Sequence, residues 1–532
     1  MLHIAPTDTE LQQLERQKYQ KFRKSSFMAE MFLQQRSKAT WIKLGDDNTK
    51  YFFSIIKMRR LQQAITQITD EQGVQHTDSN AIAQTFVDYY KHMLGSKEGG
   101  RIKAVPRFLQ HGHILTTAQQ MGLIRTYTRA EVKQAMFGID INKSPGPDGY
   151  GSGFFKEAWC LIGEDITQAV LQFLENGKLL TQINATVISL IPKVKAPVLA
   201  SQFRPISCCN VIYKCISKVL CLRLKAILPS LVDGTQAAFV EGRSLVHNVL
   251  ICHDLLRHYN RKTSPRLVMT CVTTTHFSVR VNGESYGYFE GKRGLRQGDP
   301  ISPLLFVIVM EYLSRILRKM SDLPDFKFHP LCKVTKLTHL IFADDLMIFC
   351  RGDMSSVTRV MEALDHFSQV TGLIANLDKS NIFIAGVGDE VKQNILTKTG
   401  FSLGTPPIKY LGLPLTSKKW TKMECQQLVD KIIARIQSAY AKLLSYAGRL
   451  QIVMAVLFSI YNFWGAVFIL PQSVLKEIDR KCREFLWNAA EGKRKVALVA
   501  WDKVCVPKKF GGLNIKECCK WNVASVGKLC GK

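Results

Sequence analysis

Residues 339–349 read HLIFADDLMIF, so two adjacent aspartates interrupt a run of apolar side chains. A charged carboxylate in an apolar setting is costly in free energy unless a partner replaces the lost water. A divalent cation is such a partner, because Mg²⁺ prefers oxygen ligands and is commonly held by one or two carboxylates together with substrate phosphates. The pattern predicts a β-hairpin with its turn at residues 343–345. On this motif alone an exposed acidic turn between two edge strands is the preferred interpretation, and a turn that presents Asp344 and Asp345 to a metal ion is the alternative.

Length and charge bound the class of protein. A chain of 532 residues is too long for one compact core, so several subdomains are expected. Hydrophobic residues make up 46% and charged residues 22%, which excludes wholesale disorder. Lys and Arg number 72 against 43 Asp and Glu, a formal net charge of +29. Such an excess attracts polyanions, so nucleic acid is the leading partner and a membrane surface is the alternative.

The cysteines and the first residues of the chain bear on its compartment. The 15 cysteines are scattered without the spacing of a disulfide framework, and the opening residues lack the apolar segment of a signal peptide. We therefore expect the nucleus, the cytoplasm or both, with cysteines such as Cys215 and Cys221 acting as small hydrophobic residues.

One uncharged stretch is long enough to cross a membrane. Residues 452–470 read IVMAVLFSIYNFWGAVFIL. Polar residues lie at the centre of the stretch, and basic residues flank both of its ends, so no orientation is favoured. The stretch is expected to form one or two buried helices, and no membrane partner is expected.

Other segments have clear local signals. Residues 1–60 predict a long basic helix, either solvated or lying on nucleic acid. Residues 185–194 alternate like a strand, and residues 276–290 predict a hairpin about Asn282-Gly283. The segment that follows FRPIS predicts an amphipathic helix; the basic residues expected on its polar side are Lys214, Lys218, Arg223 and Lys225.

A second motif lies upstream of the aspartate pair. LRQGDPISP combines a glutamine with a glycine, which lets a nucleotide approach the backbone closely. Carboxylates on a rigid hairpin can hold the two metal ions that activate a 3′-hydroxyl and neutralise a triphosphate. Together the two motifs are typical of the palm of a nucleic-acid polymerase.

Further motifs follow in a fixed order along nearly the whole chain. They are SPGPDG (144–149), LIPK (190–193), FRPIS (203–207), NVIYK (210–214), QAAFVEGR (236–243), GLRQGDPISPLLF (294–306), FADD (342–345), GLIANLDKS (372–380), KYLGLPL (409–415), LSYAGRLQIV (444–453), FLW (485–487) and GGLNIK (511–516). In these motifs the sequence resembles the reverse transcriptases of non-LTR (LINE-type) retrotransposons, most closely those of plants.

The resemblance implies an α+β right-hand polymerase fold of fingers, palm and thumb, with a helical N-terminal extension and a helical thumb. It implies RNA-templated DNA synthesis for target-primed retrotransposition, with an RNA template, a DNA primer or target, dNTPs and two Mg²⁺ ions. The implied domains are a basic linker region at 1–115, fingers and palm at 116–400 with a core at 185–385, primer grip and thumb at 401–485, and the truncated start of a C-terminal region at 486–532.

The resemblance also implies roles for individual residues. The catalytic and metal-binding carboxylates would be Asp344 and Asp345, with Lys379 placed to assist the departure of pyrophosphate. The nucleotide or template would be contacted by Lys193, Arg204, Gln297, Gly298 and Phe342, and the primer grip would be formed by Tyr410, Leu411 and Gly412. Structural alternatives stay open, since Arg204 could pair with an acid, Lys379 could be solvated and Tyr410 could only pack.

One expected element is missing from the text of the sequence. In the family, a further catalytic carboxylate comes from a strand in a segment like KxDxxKAxD, whereas residues 255–283 of this chain contain neither Asp nor Glu. The lead-in RKTSPRLVM and the lead-out TCVTTTHFSVRVNG meet near Met269–Thr270, as they would after an internal deletion. We expect the palm to lose a central strand, leaving a sheet edge exposed or re-paired.

Three nearby acids are weak substitutes for the lost carboxylate. Glu284 adjoins a turn, Glu290 ends a strand, and Asp299 belongs to the QGDP loop, so none is expected on a central strand beside Asp345. Three hypotheses stay open: a deleted copy with impaired or lost activity, an active polymerase if the deletion is an artefact of the gene model, and a non-catalytic nucleic-acid-binding remnant.

Overall fold

The computed structural model describes residues 9–37, 53, 56–58, 60–61, 63–96, 99–256, 266–271, 279–282, 284–287, 289, 294–415, 420–437, 444–487 and 499–530. The chain forms two compact units, one of Ile65–Ser417 and one of Met1–Ala64 with Lys418–Lys532. These units are defined by packing, so the domain boundaries expected from the sequence stay a prediction.

Helices occur in both units. In chain order they are α1 (Thr9–Ser37), α2 (Ser79–Gly95), α3 (Pro106–Leu109), α4 (Thr117–Ile124), α5 (Arg129–Phe137), α6 (Ser152–Glu157), α7 (Trp159–Asn176), α8 (Thr181–Asn184), α9 (Val211–Leu231), α10 (Leu245–Leu256), α11 (Ser302–Ser321), α12 (Met354–Thr371), α13 (Asp389–Thr399), α14 (Gln426–Gln437), α15 (Tyr446–Ile452), α16 (Phe458–Gly465), α17 (Gln472–Trp487), α18 (Trp501–Val504) and α19 (Cys518–Cys530).

The strands described lie in the Ile65–Ser417 unit. They are β1 (Ile68–Thr69), β2 (Gln75–His76), β3 (Thr186–Pro192), β4 (Phe203–Cys209), β5 (Arg266–Cys271), β6 (Val279–Val281), β7 (Glu284–Tyr286), β8 (His339–Phe342), β9 (Asp345–Cys350), β10 (Asn381–Ala385), β11 (Ser402–Leu403), β12 (Ile408–Tyr410) and β13 (Leu413–Leu415). The mixture of helices and sheets confirms the α+β class.

A five-stranded sheet in the order β11-β10-β5-β9-β8 carries the aspartate pair. Both faces of β8 and β9 are buried, which explains their near-continuous apolar sequence. On one face, Ile341, Leu346 and Ile348 pack into a core with residues of α11 and α12. On the other, the sulfur of Met347 lies 3.3 Å from that of Cys252 in α10. The sheet is therefore a rigid support for the turn between β8 and β9.

The expectation that a central strand is lost is wrong. Strand β5 lies between β9 and β10, and its register with β9 pairs Leu267 with Cys350 and Cys271 with Leu346. Its register with β10 runs from Thr270–Asn381 to Arg266–Ala385. The joined residues RLVMTC are rich in side chains that favour strands, so they form a ladder on both sides and leave no edge at this position. Strand β5 contains neither Asp nor Glu.

A four-stranded sheet in the order β4-β3-β6-β7 forms a second layer of the same unit. Strand β3 pairs with β4 along its whole length, which confirms the strand predicted at 185–194. The predicted hairpin about Asn282 is also confirmed, and both atoms of its side-chain amide hydrogen-bond the backbone of Ile65 at 2.9 Å. Helix α2 packs against this sheet, where Phe86 meets the ring of Phe203 edge-on at 5.1 Å.

Buried ion pairs connect the helices of this unit. In α11, Arg315 donates 2.9 Å from Nε to Glu311, and its other nitrogens donate to backbone carbonyls of Leu109, His113 and Leu231. In α9, Arg223 donates from Nε and Nη2 to Glu131 at 3.0 and 3.1 Å.

Two of the basic residues expected on the polar side of α9 are buried instead. Arg223 is 7% exposed, and its guanidinium lies 3.6 Å from the centroid of the Tyr127 ring. Lys214 is 6% exposed and donates to the carbonyl oxygen of Ser144 at 2.6 Å. Because both cations are buried and hydrogen-bonded to other parts of the protein, they stabilise the packing of α9 and do not form a solvated face. Cys215 and Cys221 are buried as expected.

The second unit is helical in its described part. The uncharged stretch at 452–470 begins at the end of α15, continues through a π-helical turn at Val453–Leu457 and enters α16. Tyr461 is fully buried and donates to the carbonyl oxygen of Cys518 at 2.8 Å. Among the described helices, none is long and apolar enough to cross a membrane. The long basic helix expected in residues 1–60 is confirmed for α1, while residues 38–52 lie outside the described part.

Candidate active site

The turn between β8 and β9 positions the two aspartates. Phe342 pairs with Asp345 across the ladder, so the turn consists of Ala343 and Asp344. The expected hairpin is confirmed, but its turn is one residue shorter than 343–345, since Asp345 already belongs to β9. Ala343 has φ 56°, a left-handed conformation that is unfavourable for residues with a Cβ.

A buried glutamine supports this left-handed turn. The Oε1 atom of Gln236 accepts hydrogen bonds from the backbone N–H groups of Ala343 at 3.1 Å and Ala238 at 2.9 Å. Gln236 is 1% exposed, and Ile341 pairs with the backbone on either side of it. The side chain therefore holds the aspartate turn against the segment that precedes α10.

The two carboxylates are close enough to disturb each other. Burial and then the charge of Asp344 raise the pKa of Asp345 to about 6. A carboxylate held this way favours a bound cation, because a cation would offset both the lost hydration and the repulsion.

A cleft of about 1010 Å³ opens beside the turn. It brings together residues that the sequence predicted separately for nucleotide, template and catalysis: Lys193, Arg204, Gln297, Gly298, Asp344 and Lys379. The wall of the cleft is formed by parts of the chain that are far apart in sequence. They are the residues that follow β3, strand β4, the loop that contains Gln297 and Gly298 (the QG loop), the aspartate turn and the residues before β10. Within the Ile65–Ser417 unit, these distant motifs therefore converge on one site.

One side of this cleft is cationic. The ammonium group of Lys193 donates to the carbonyl oxygen of Ser201 at 2.7 Å. Burial lowers the pKa of Lys193, and the charges of Lys379 and Arg204 lower it further. A bound phosphate group would favour the charged form of Lys193 and offset the repulsion from its two cationic neighbours.

The QG loop is fitted tightly against β4. The N–H of Ser207 donates to the carbonyl oxygen of Gln297 at 2.7 Å. Gly298 has φ 120°, and a Cβ there would lie 2.7 Å from the carbonyl oxygen of Ser207. A side chain at this position would therefore displace the loop from the cleft, so the glycine is required by close approach.

Asp299 of the same loop has a structural role. It is 4% exposed and accepts hydrogen bonds from the hydroxyls of Tyr213, at 2.9 Å, and Ser217. It also accepts from the N–H of Ile301 at 3.2 Å. These bonds fix the loop at the start of α11, so the carboxylate of Asp299 is already hydrogen-bonded within the protein and is not placed beside Asp345 as a further metal ligand.

A smaller cleft of about 450 Å³ lies on the other side of the aspartates. Its lining includes Asp345, Lys379, Tyr410 and Leu411. The β12–β13 hairpin that borders it closes through Leu411 at φ 51° and Gly412 at φ 80°, as in a two-residue type I′ turn. Tyr410 is 3% exposed, and burial raises its pKa. Two residues of the expected primer grip, Tyr410 and Leu411, thus line the same cleft as Asp345. Gly412 and Phe342 are not among the described residues that line either cleft.

Two further residues of the large cleft were missed by the sequence analysis. Phe239 is 53% exposed with φ 60°, which is an unfavourable backbone conformation for an aromatic residue. Arg296 donates to Asn184 at 2.6 Å and lies over the ring of Tyr213 at 4.6 Å. Both belong to motifs quoted above, QAAFVEGR and GLRQGDPISPLLF, but neither motif reveals which side chains reach the cleft.

The two Mg²⁺ ions implied by the resemblance would need more oxygen ligands than the aspartate pair supplies. Of the expected substitutes, Glu284 lies in the other sheet and accepts from Tyr286 at 2.7 Å, Asp299 is hydrogen-bonded within the protein, and Glu290 lies outside the described residues. Across the described part of the chain, no group of three or more His, Cys, Asp or Glu side chains is placed to hold a metal ion. Asp344 and Asp345 fit one Mg²⁺ bound together with substrate phosphates, but they do not fit the two-ion set.

Comparison with known proteins agrees with this arrangement of motifs. Residues 191–415 match the profile of the family described as reverse transcriptase (RNA-dependent DNA polymerase). This range begins in β3 and ends with β13, so it contains every residue predicted for the site and all of the smaller cleft, while the large cleft is also lined by Tyr89 and Met93.

Similar proteins come from several mobile elements. An uncharacterized 149 kDa protein of transposon TX1 from Xenopus laevis is 24% identical over 83% of this chain and 36% of its own length. The Pol polyprotein of the type-2 retrotransposable element R2DM from Drosophila melanogaster is 25% identical over 71% of this chain and 38% of its own length. A putative ribonuclease H protein of Arabidopsis thaliana is 36% identical over 22% of this chain and 19% of its own length.

The chain spans little more than a third of the length of the TX1 and R2DM proteins. The chain therefore carries a reverse transcriptase domain at residues 191–415, and over most of its length it is similar to the proteins of transposon TX1 and of the retrotransposable element R2DM.

Proposed function

We propose that this chain binds an RNA template with a DNA primer in a fingers–palm–thumb fold but has lost, or retains only weakly, the ability to synthesise DNA. In this assignment the four-stranded sheet belongs to the fingers, the five-stranded sheet is the palm, and the β12–β13 hairpin is the primer grip. The boundaries at 115, 400 and 485 are part of the same proposal.

One observation carries the proposal. Strand β5 is paired with β9, the strand that begins with Asp345, yet residues 255–283 contain no acid. A strand beside the aspartate turn is the place from which a further carboxylate could reach a metal ion held there. Two carboxylates at one turn can hold one metal ion. The pair of metal ions that joins a 3′-hydroxyl to a triphosphate needs a further ligand, which these two carboxylates do not supply.

Binding of nucleic acid is supported by the opposite side of the site. Lys193, Arg204 and Lys379 line the large cleft together with Gln297 and Gly298. Arg and Lys bind phosphate irrespective of sequence, so attraction to a primer–template is retained without the missing acid. The residues therefore supply binding and orientation of a polyanion, while the protein's own groups supply too few oxygen ligands for the chemistry.

Primer extension on an RNA template with Mg²⁺ tests the loss of synthesis. The full chain is compared with the Asp344→Ala/Asp345→Ala variant, while the salt dependence of primer–template binding is measured for both. The proposal expects binding by both proteins, with extension by the full chain that is absent or far slower than that of an active reverse transcriptase assayed alongside. Extension by the full chain at a rate comparable to that enzyme, abolished by the double substitution, would contradict it.

Sequencing of transcripts across Ser264–Thr274 separates a true deletion from an artefact of the gene model. The proposal expects transcripts that join these residues as written. Additional coding sequence that carries an acid at this junction would restore the polymerase as the preferred function of the natural product.

A further inference from the structure

Helix α1 carries an exposed cationic surface outside the reverse transcriptase domain. The helix has 29 residues, and residues 13–29 are all exposed. Five basic residues fall within nine positions near its centre, and none forms an ion pair within the described part of the chain: Arg16, Lys18, Lys21, Arg23 and Lys24. A helix of this length spans about 43 Å, and the cations lie within its exposed residues 13–29.

Two aromatic side chains lie among these cations. Tyr19 is 59% exposed and Phe22 is 68% exposed, and a separation of three residues places them on one face of the helix. Lys18 is four residues before Phe22, and Arg23 is four residues after Tyr19, with its guanidinium 6.0 Å from the tyrosine ring. Each ring is therefore flanked by a cation on the same face.

The pattern does not suit a helical protein partner. A coiled coil needs apolar residues at heptad spacing over three or more heptads. The face of Tyr19 and Phe22 continues to Glu15 in one direction and Ser26 in the other. The other large apolar side chains that this part of the helix exposes, Leu14, Phe27 and Met28, lie on different sides of it. The exposed apolar residues therefore form no continuous stripe of the kind that seats an amphipathic helix on a membrane.

Exposed aromatic rings interleaved with cations suit single-stranded nucleic acid. Such strands are bound by cations that follow the phosphates and by rings on which unpaired bases stack. We propose that α1 is a second nucleic-acid-binding site, with phosphates bound by Lys18, Lys21, Arg23 and Lys24 and bases stacked on Tyr19 and Phe22. The site binds either RNA or DNA single strands, and it does not depend on the proposed loss of synthesis.

Two variants of the full chain test the two kinds of contact separately. A charge variant carries Lys18→Gln, Lys21→Gln, Arg23→Gln and Lys24→Gln, and an aromatic variant carries Tyr19→Gln and Phe22→Gln. Glutamine is a good helix former, and every replaced side chain is exposed, so helix content and thermal unfolding are expected to stay unchanged. Circular dichroism checks this.

A control variant has the same change in net charge on the other unit. It replaces four exposed lysines of the Ile65–Ser417 unit with glutamine: Lys133, Lys178, Lys327 and Lys398. Its loss of affinity measures the effect of net charge alone. Any further loss in the charge variant then belongs to α1.

The measurement is the affinity for labelled single-stranded RNA, and for DNA of the same sequence, over a series of KCl concentrations. For four phosphate contacts, the charge variant should lower the slope of log affinity against log salt by about 3. The aromatic variant should weaken binding by about 10-fold or more with little change in slope, because stacking is not ionic. Both nucleic acids are expected to respond, with the control variant changing the slope far less.

Two outcomes would overturn the proposal. One is a charge variant that behaves like the control, which would make α1 part of a diffuse basic field. The other is an aromatic variant that binds both single strands as the full chain does. Vesicles of anionic lipid serve as a counter-probe, and variants that lose vesicle binding while keeping full affinity for RNA and DNA would assign α1 to a membrane surface instead.

Discussion

The two sides of the large cleft differ in the charged groups that they present. On one side, Lys193, Arg204 and Lys379 present three cations, and the first of these has its pKa lowered by burial and by the other two. On the other side, the aspartate turn stands next to a strand that is in place but carries no acid. Attraction between cations and phosphates is a sum over many contacts and survives the loss of one. Metal-ion chemistry needs a complete set of ligands, so binding and catalysis can be separated in one fold.

The largest expected effect is a loss of stability in the unit that contains both sides of the cleft. Arg315→Ala removes one partner of the buried pair with Glu311 and leaves three backbone carbonyls without their donor. We expect the free energy of unfolding to fall by about 3–5 kcal/mol, as for other broken buried pairs. Urea unfolding measures this. Arg359→Ala is the control, because this side chain is 34% exposed in its ion pairs and should cost about 1 kcal/mol or less.

The second largest effect is expected when positive charge is removed from the cationic side alone. Lys193→Gln with Arg204→Gln should weaken primer–template binding by about 10–100-fold at low salt and lower the salt slope by about 2, since two phosphate contacts are lost. Fluorescence anisotropy over a series of salt concentrations measures both. Unchanged affinity would remove the cleft from the binding surface, provided that thermal unfolding shows the variant to be folded.

The contributions of Glu131 and Asp345 to the free energy of unfolding should change with pH in opposite directions. Hydrogen bonds from Arg223 lower the pKa of Glu131 to about 2, whereas burial and the charge of Asp344 raise the pKa of Asp345 to about 6. Because the pKa of Glu131 in the folded state lies below its usual 4.5, its stabilising effect is present above about pH 4.5 and is lost as the pH falls through about 2.

Glu131→Gln should therefore reduce the free energy of unfolding by about 1–2 kcal/mol near neutral pH, as expected for charged hydrogen bonds. The difference between variant and parent should shrink below about pH 4.5. Chemical unfolding at a series of pH values measures it. A difference that stays constant down to pH 2 would show that the ion pair is not the source.

The smallest expected effect has the opposite sign to that of the cationic side. Asp344→Asn with Asp345→Asn removes two negative charges from the wall of the binding site, and without divalent metal it should tighten primer–template binding by a few-fold. The same binding assay, run in a metal chelator, measures this. Weaker binding by this variant would contradict the view that the acids repel nucleic acid when no cation is bound.

Local signals were enough to predict the parts of the site made by nearby residues. Alternation on both sides of Asn282 predicted the β6–β7 hairpin, and the apolar run around Asp344 and Asp345 predicted the β8–β9 hairpin. The motif order predicted that Gln297 and Lys379 serve one site, and both line the large cleft. These predictions hold because period and turn chemistry are written in a few consecutive residues.

The failures concern pairing over long distances and the burial of charge. Nothing within RLVMTC shows that Arg266–Cys271 pairs with β9 and β10, so the sequence predicts the loss of a strand that the structure contains. The burial of Arg223 depends on Glu131, 92 residues earlier in the chain. The exposed face of Phe239 and the left-handed turn at Ala343 depend on backbone conformation, which residue type alone does not determine.

Counting bound metal ions is the most direct test of the central claim. Electron paramagnetic resonance can count Mn²⁺ bound by the full chain with primer–template and a non-hydrolysable nucleotide, against the Asp344→Ala/Asp345→Ala variant. An incomplete ligand set predicts one site that the double substitution removes. Two ions bound in the full chain, both lost in the variant, would show that another ligand completes the site and would contradict the account.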